Sequence, residues 1–87
     1  VSMAFIYPNQ QSTIFLPKDF NGNTNDLILK VAHSKPQLQL YWYVDNLFVG
    51  HTKDIHDMAV SPSPGDHVIT VIDELGNEIK HKITISE

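Results

Sequence analysis

The sequence predicts an all-β fold: an immunoglobulin-like antiparallel β-sandwich of seven or eight short strands. Three observations carry that expectation. Apolar residues alternate with period two along almost the whole chain. Pro, Gly, Asn and Asp cluster at intervals of roughly eight to twelve residues, the spacing of turns between short strands. The aromatic stretch Leu40-Tyr41-Trp42-Tyr43-Val44 puts one indole in the middle of a strand, where such sandwiches bury theirs.

The elements follow in order. Met3 to Tyr7 reads as a first strand and Thr13 to Leu16 as a second, separated by Pro8-Asn9-Gln10-Gln11-Ser12. Asn21 to Asp26 is a loop, because Asn, Asp and Gly tolerate left-handed backbone and bond locally to it. Leu27, Leu29 and Val31 alternate with Ile28, Lys30 and Ala32 to give a third strand, ended by Ser34-Lys35-Pro36. Leu40, Trp42 and Val44 share the core face of the next strand, and Tyr41 and Tyr43 share the other. Asp45-Asn46 is a two-residue hairpin turn leading to Leu47–Val49, since both residue types accept positive φ. Ile55 to Val60 is the one stretch that could be read as helical, and it is too short to decide. Ser61-Pro62-Ser63-Pro64-Gly65 is a rigid turn into the strand around Val68. Glu74-Leu75-Gly76-Asn77 joins that strand to a last one, in which Ile79, His81, Ile83 and Ile85 alternate with Lys80, Lys82, Thr84 and Ser86. Trp42 is expected to pack on Ile, Val and Leu alone.

Composition narrows the function. The chain has 87 residues, 41% hydrophobic and 18% charged, the values of one small folded domain, read as spanning 1–87. Its start at Val1, without a signal-like segment, reads as a piece of a longer protein. A net charge of −4 with six Lys and Arg argues against nucleic acid, which demands a basic patch. No apolar run approaches the ~20 residues of a membrane-spanning helix. With no cysteine, a disulfide, a thiol nucleophile and a sulfur-ligated zinc site are all excluded.

Reactive residues are present without a reactive pattern. The five histidines lack an HExxH pair. His67 and His81 fall on facing strands of the last hairpin and are the one pair placed to approach. The expectation is that His67 is a partly buried ring bonded to backbone and the others lie on the surface. Asp54 and Asp57, and Asp73 and Glu74, are the carboxylate clusters. Asp73 heads a turn whose amides it is expected to cap, rather than serving paired-carboxylate hydrolysis. No serine stands in GxSxG or SxxK, and each of the four glycines sits at a turn. No catalytic residue, cofactor or metal is therefore expected. The aromatics offer the one plausible binding surface: Tyr41 and Tyr43 facing outward, with Phe48 beside them across the hairpin. Such a face can stack on sugar, support a partner protein, or simply stabilise the sheet.

Three blocks resemble the C-terminal domain family of bifunctional penicillin-binding proteins of the 1C type. Ile6-Tyr7-Pro8 is similar to the family's opening. Leu40-Tyr41-Trp42-Tyr43-Val44-Asp45, with Gly50-His51-Thr52 behind it, is similar to its W-Y-V-D-G and G-x-T block. Pro64 to Gly76 is similar to its P-G-x-H-x-l-x-V-x-D-x-x-G block. Asn46 stands where the family usually has Gly, and Met58-Ala59-Val60 where an aromatic is usual. The resemblance implies an accessory domain of an inner-membrane-anchored peptidoglycan synthase, itself soluble and periplasmic. Its implied partner is the parent's transpeptidase domain or another envelope protein, with glycan as a further candidate. No catalytic motif of the parent falls in this segment. The rival readings are a carbohydrate-binding module and a structural spacer. The negative net charge favours a partner with basic groups over an anionic glycan.

Overall fold

The computed structural model describes residues 2–23 and 25–86. Eight strands occur in chain order: β1 (Met3–Tyr7), β2 (Ser12–Phe15), β3 (Leu27–His33), β4 (Leu40–Val44), β5 (Leu47–Thr52), β6 (Asp57–Val60), β7 (Gly65–Asp73) and β8 (Glu78–Ser86). They form a three-stranded sheet in the order β1-β3-β6 and a five-stranded sheet in the order β2-β8-β7-β4-β5. The two sheets enclose one core, so the β-sandwich is as expected.

Strand parity builds that core. Along β3, Leu27, Leu29, Val31 and His33 are buried and the residues between them are exposed. On the opposing sheet, Leu40, Trp42, Ile69, Val71, Ile83 and Ile85 point inward, and Ile14 adds the contribution of β2. Trp42, Leu29, Leu40, Ile69 and Val71 are each 0% exposed, so the indole is a central core side chain. Val71 is the cross-strand partner of Trp42.

The turns follow their sequence chemistry. Asp45 (φ 51°) and Asn46 (φ 68°) both take left-handed backbone between β4 and β5. Two consecutive positive φ values match the twist of a tight hairpin. A bulge follows, because Tyr43 pairs with Phe48 while Trp42 pairs with Gly50, leaving Val49 without a partner in the ladder. Gly50 has φ 155°, and a Cβ there would stand 2.8 Å from Met58 Cε. The missing side chain lets Met58 of β6 close over the edge of β5.

One open point is decided and two expectations change. Ile55 to Val60 is not helical: Asp57–Val60 is β6, antiparallel to β3. Met58 and Val60 turn inward and Asp57 and Ala59 outward, a period of two that pairing with β3 enforces. The sandwich is not wholly antiparallel, because β2 runs parallel to β8, with Ser12 opposite Ile83 and Phe15 opposite Ser86. Trp42 does not pack on apolar groups alone, since its Nε1–H donates to Thr52 Oγ1 at 2.9 Å.

A candidate interaction face over buried polar pairs

The residues singled out for binding lie on the outer face of the five-stranded sheet. Tyr41 and Tyr43 are half-buried, and Phe48 is 55% exposed. The register sets them in two rows across the strands. Phe48, Tyr43, Thr70 and Lys80 form one row. His51, Tyr41, Ile72 and Glu78 form the next. The Tyr43 and Phe48 rings meet edge-on, with centroids 5.6 Å apart and planes tilted by 61°. Thr70 is buried between its row neighbours, and its Oγ1 makes no hydrogen bond.

The polar motif residues do different work. Asp45 leaves the β4–β5 turn and reaches β7. Its Oδ1 accepts the Val68 amide at 2.8 Å, and its Oδ2 meets His67 Nδ1 at 2.5 Å. The other ring nitrogen of His67 donates to the Ser63 carbonyl at 2.6 Å. Both ring nitrogens thus face acceptors, the arrangement of an imidazolium. Burial disfavours that charge, but the Asp45 carboxylate and the Ser63 carbonyl outweigh it and raise the His67 pKa. For Asp45, burial is outweighed by the Val68 amide and His67, and its pKa is lowered. His67 is therefore bonded to backbone as expected, and to a carboxylate as well.

Asp73 is the second such residue. Its Oδ1 accepts the amides of Leu75 and Asn77, each at 2.9 Å, which is the turn cap the sequence predicts. Its Oδ2 takes Asn77 Nδ2 and His33 Nε2, also at 2.9 Å. The Asp73 and His33 side chains are both fully buried. Burial favours the neutral acid, but these donors override it and lower the Asp73 pKa to about 2. His33 Nδ1 accepts the Lys35 amide, so the proton of the neutral ring sits on Nε2 and is donated to Asp73. This pair joins β3 of one sheet to the end of β7 in the other.

A third network runs from the indole. Thr52 Oγ1 accepts from Trp42 and donates to His56 Nδ1 at 2.7 Å, while His56 Nε2 donates to the Pro36 carbonyl at 2.8 Å. His33 and His56 are buried, contrary to the surface positions expected for them. Parity along β3 could have found His33, because it continues the series Leu27, Leu29, Val31. His56 lies between strands and carries no periodic signal. His81 packs its ring on Phe5, with centroids 4.1 Å apart, and bonds the Lys80 carbonyl, so its contacts are separate from those of His67.

Chemically, these groups form structural bonds. Among the described residues, no three His, Asp or Glu side chains gather where a metal ion could sit. An open cleft of about 410 Å³ is lined by Asp45, Asp66, His67, Lys82 and Thr84. A larger groove of about 820 Å³ runs between Phe15, Pro17, Pro62, Pro64 and Ile85.

The comparisons with known proteins agree with this picture. No curated protein matches the chain. Among solved structures, the fibronectin(III)-like modules of CbhA from Clostridium thermocellum superpose with a TM-score of 0.66 at 16% identity, over 97% of this chain and 93% of that one. That likeness concerns the sandwich alone. The model of the Penicillin-Binding Protein C-terminus Family matches residues 1–85. Its reach includes Trp42, Asp45, Thr52, His67 and Asp73, the residues whose bonds hold the two sheets and their turns in register, and by that match the chain belongs to the Penicillin-Binding Protein C-terminus Family.

Proposed function

We propose that this chain is a non-catalytic accessory domain of a peptidoglycan synthase, and that it docks a protein partner through Tyr41, Tyr43 and Phe48. Family membership supports a place in a penicillin-binding-protein-like chain of the cell envelope. On this reading the parent is a membrane-anchored glycosyltransferase and transpeptidase, and the domain lies in the periplasm. No helix among the described residues is long and apolar enough to cross a membrane, so the reading places the anchor in the parent. The partner is the parent's own transpeptidase domain or another envelope protein.

The observation that carries the docking face is the contiguity of the three aromatics on a sheet whose other side is already the core. Aromatic side chains contribute strongly to association once a partner excludes water from them. The 61° tilt between Tyr43 and Phe48 keeps that pair from presenting a single flat platform, which favours a protein partner over sugar stacked on both rings.

The test is a Tyr43→Ser, Phe48→Ser variant in the full-length parent, with Phe48→Ser alone as the milder change. Retained cell-wall synthesis in vitro, an unaltered circular dichroism spectrum and weakened association between the domain and the transpeptidase domain are expected. Association at wild-type strength with that domain and with envelope extracts would remove the face from consideration. Loss of glycan binding instead would move the reading to a carbohydrate module.

A further inference from the structure

We infer that the outer face of the five-stranded sheet takes an acidic protein segment, whose apolar side chain seats against Tyr43 and Phe48 while its carboxylate reaches Lys80 or Lys82. The inference rests on the docking face proposed above and specifies the chemistry of what docks there. It reverses the polarity that the net charge suggests.

The net charge of −4 belongs to the whole chain, and the face has a different balance. Lys80 lies in the same cross-strand row as Tyr43 and Phe48, and Lys82 lies beside Val68 one step along β8. Both are exposed. The ion pairs among the described residues are Lys30–Asp57, His33–Asp73 and His67–Asp45, so neither of these ammonium groups is neutralised by one. The acidic residues of the face are placed differently. Asp66 is bonded by Thr84 Oγ1 at 2.7 Å, and Glu78 stands in the row of Tyr41, beside Ile72. Asp45 is turned toward His67 and the Val68 amide. The free charge nearest the Tyr43–Phe48 ring pair along its own row is thus positive.

The spacing fits one extended segment. From Tyr43 on β4 across β7 to Lys80 on β8 is two interstrand steps, about 10 Å. Side chains of an extended peptide share a side only at even spacings, so an apolar residue and a carboxylate four positions on, about 13 Å along the strand, span the two ends once the Lys80 side chain reaches outward. Thr70 lies between them, and its hydroxyl is the buried side-chain polar atom without a hydrogen bond among the described residues. Buried polar groups in folded proteins are nearly always paired, so this row is where the sheet still has a polar group to satisfy.

The experiment uses the isotope-labelled domain and blocked peptides of about eight residues that carry Leu and, four positions on along the same side, Glu, Lys or Ser, with Ser elsewhere. The Leu/Glu peptide is expected to shift the amide resonances of Tyr43, Thr70 and Lys80, and to bind about tenfold more tightly than the Leu/Lys peptide. The Lys80→Glu, Lys82→Glu variant should exchange the two preferences. If the Leu/Lys peptide binds the wild-type face as well as or better than Leu/Glu, the acidic partner is wrong while the docking face stands. If no peptide shifts these amides, or the shifts fall on the groove at Phe15 and Pro62, both the acidic partner and the face are wrong.

Discussion

Asp45 and His67, 22 residues apart in sequence, meet at 2.5 Å and lock the β4–β5 turn onto β7. Two of the three blocks that carry the family resemblance are thereby one structural unit. The turn supplies the carboxylate and the Pro64-Gly65 segment delivers the imidazole.

That pair makes stability depend on pH. The His67 pKa is raised from 6.5, so its contribution is complete below about pH 6.5 and fades as pH rises through the folded value. The Asp45 pKa is lowered from 3.8, so its contribution is complete above about pH 3.8 and fades as pH falls through the folded value. The pair is therefore strongest between these limits. The melting temperature of the wild type should decline from mildly acidic to mildly alkaline pH. Asp45→Asn, which keeps an acceptor for the Val68 amide and tolerates positive φ, should flatten that slope. An equal slope in both proteins would show that the pair does not titrate with folding.

Asp73 dominates the acid limb. Its pKa of about 2 against an ordinary 3.8 corresponds to roughly 2 kcal/mol of stability, present above about pH 3.8 and lost as pH falls toward 2. Asp73→Asn should be destabilising even at neutral pH. The new amide N–H₂ would confront His33 Nε2–H and Asn77 Nδ2, and the other His33 nitrogen is held by the Lys35 amide. A cost of about 1–3 kcal/mol is expected from urea denaturation, the penalty of a buried donor left without an acceptor. A neutral effect would show that His33 finds another partner.

The core indole and its partner are separable. Trp42→Ala should cost ~3–5 kcal/mol, the price of deleting a large core aromatic. Thr52→Val keeps the volume but strands Trp42 Nε1–H and His56 Nδ1, and should cost about 1–3 kcal/mol. Trp42 fluorescence should be that of a buried indole in the wild type and in Thr52→Val. A solvent-exposed emission maximum from the folded wild type would contradict the packing.

The domain alone should not react with penicillins. Its serines lie in no GxSxG or SxxK context, the settings in which a serine is activated as a nucleophile. Incubation with a fluorescent β-lactam should leave the domain unlabelled, while the parent's transpeptidase domain is labelled. A covalent adduct on this chain would overturn the non-catalytic reading.

Local rules made much of this legible. Asp45-Asn46 and the Asp73 turn are short-range chemistry, in which the residues that specify the turn also form its bonds. Trp42 followed from parity with Leu40 and Val44. Parity does not say which strand lies alongside, or in which direction, so the pairing of β2 with β8 was hidden. Those partners lie near opposite ends of the chain. The buried histidines were missed for a related reason. Histidine is tolerated inside only when both ring nitrogens are bonded, and the partners Asp73, Lys35, Thr52 and Pro36 come from other elements. The outward aromatic face was readable from alternation, whereas the lysines that share its rows come from a strand some forty residues further on.

The parallel alignment of β2 with β8 also has a mechanical meaning. If the chain is pulled backward from Ser12 and forward from Ser86, the two strands slide past each other along their length. The ladder between them is then loaded in shear, all its bonds sharing the force, whereas an antiparallel hairpin pulled from its open end unzips one bond at a time. Such a junction resists tension along the chain in proportion to its length.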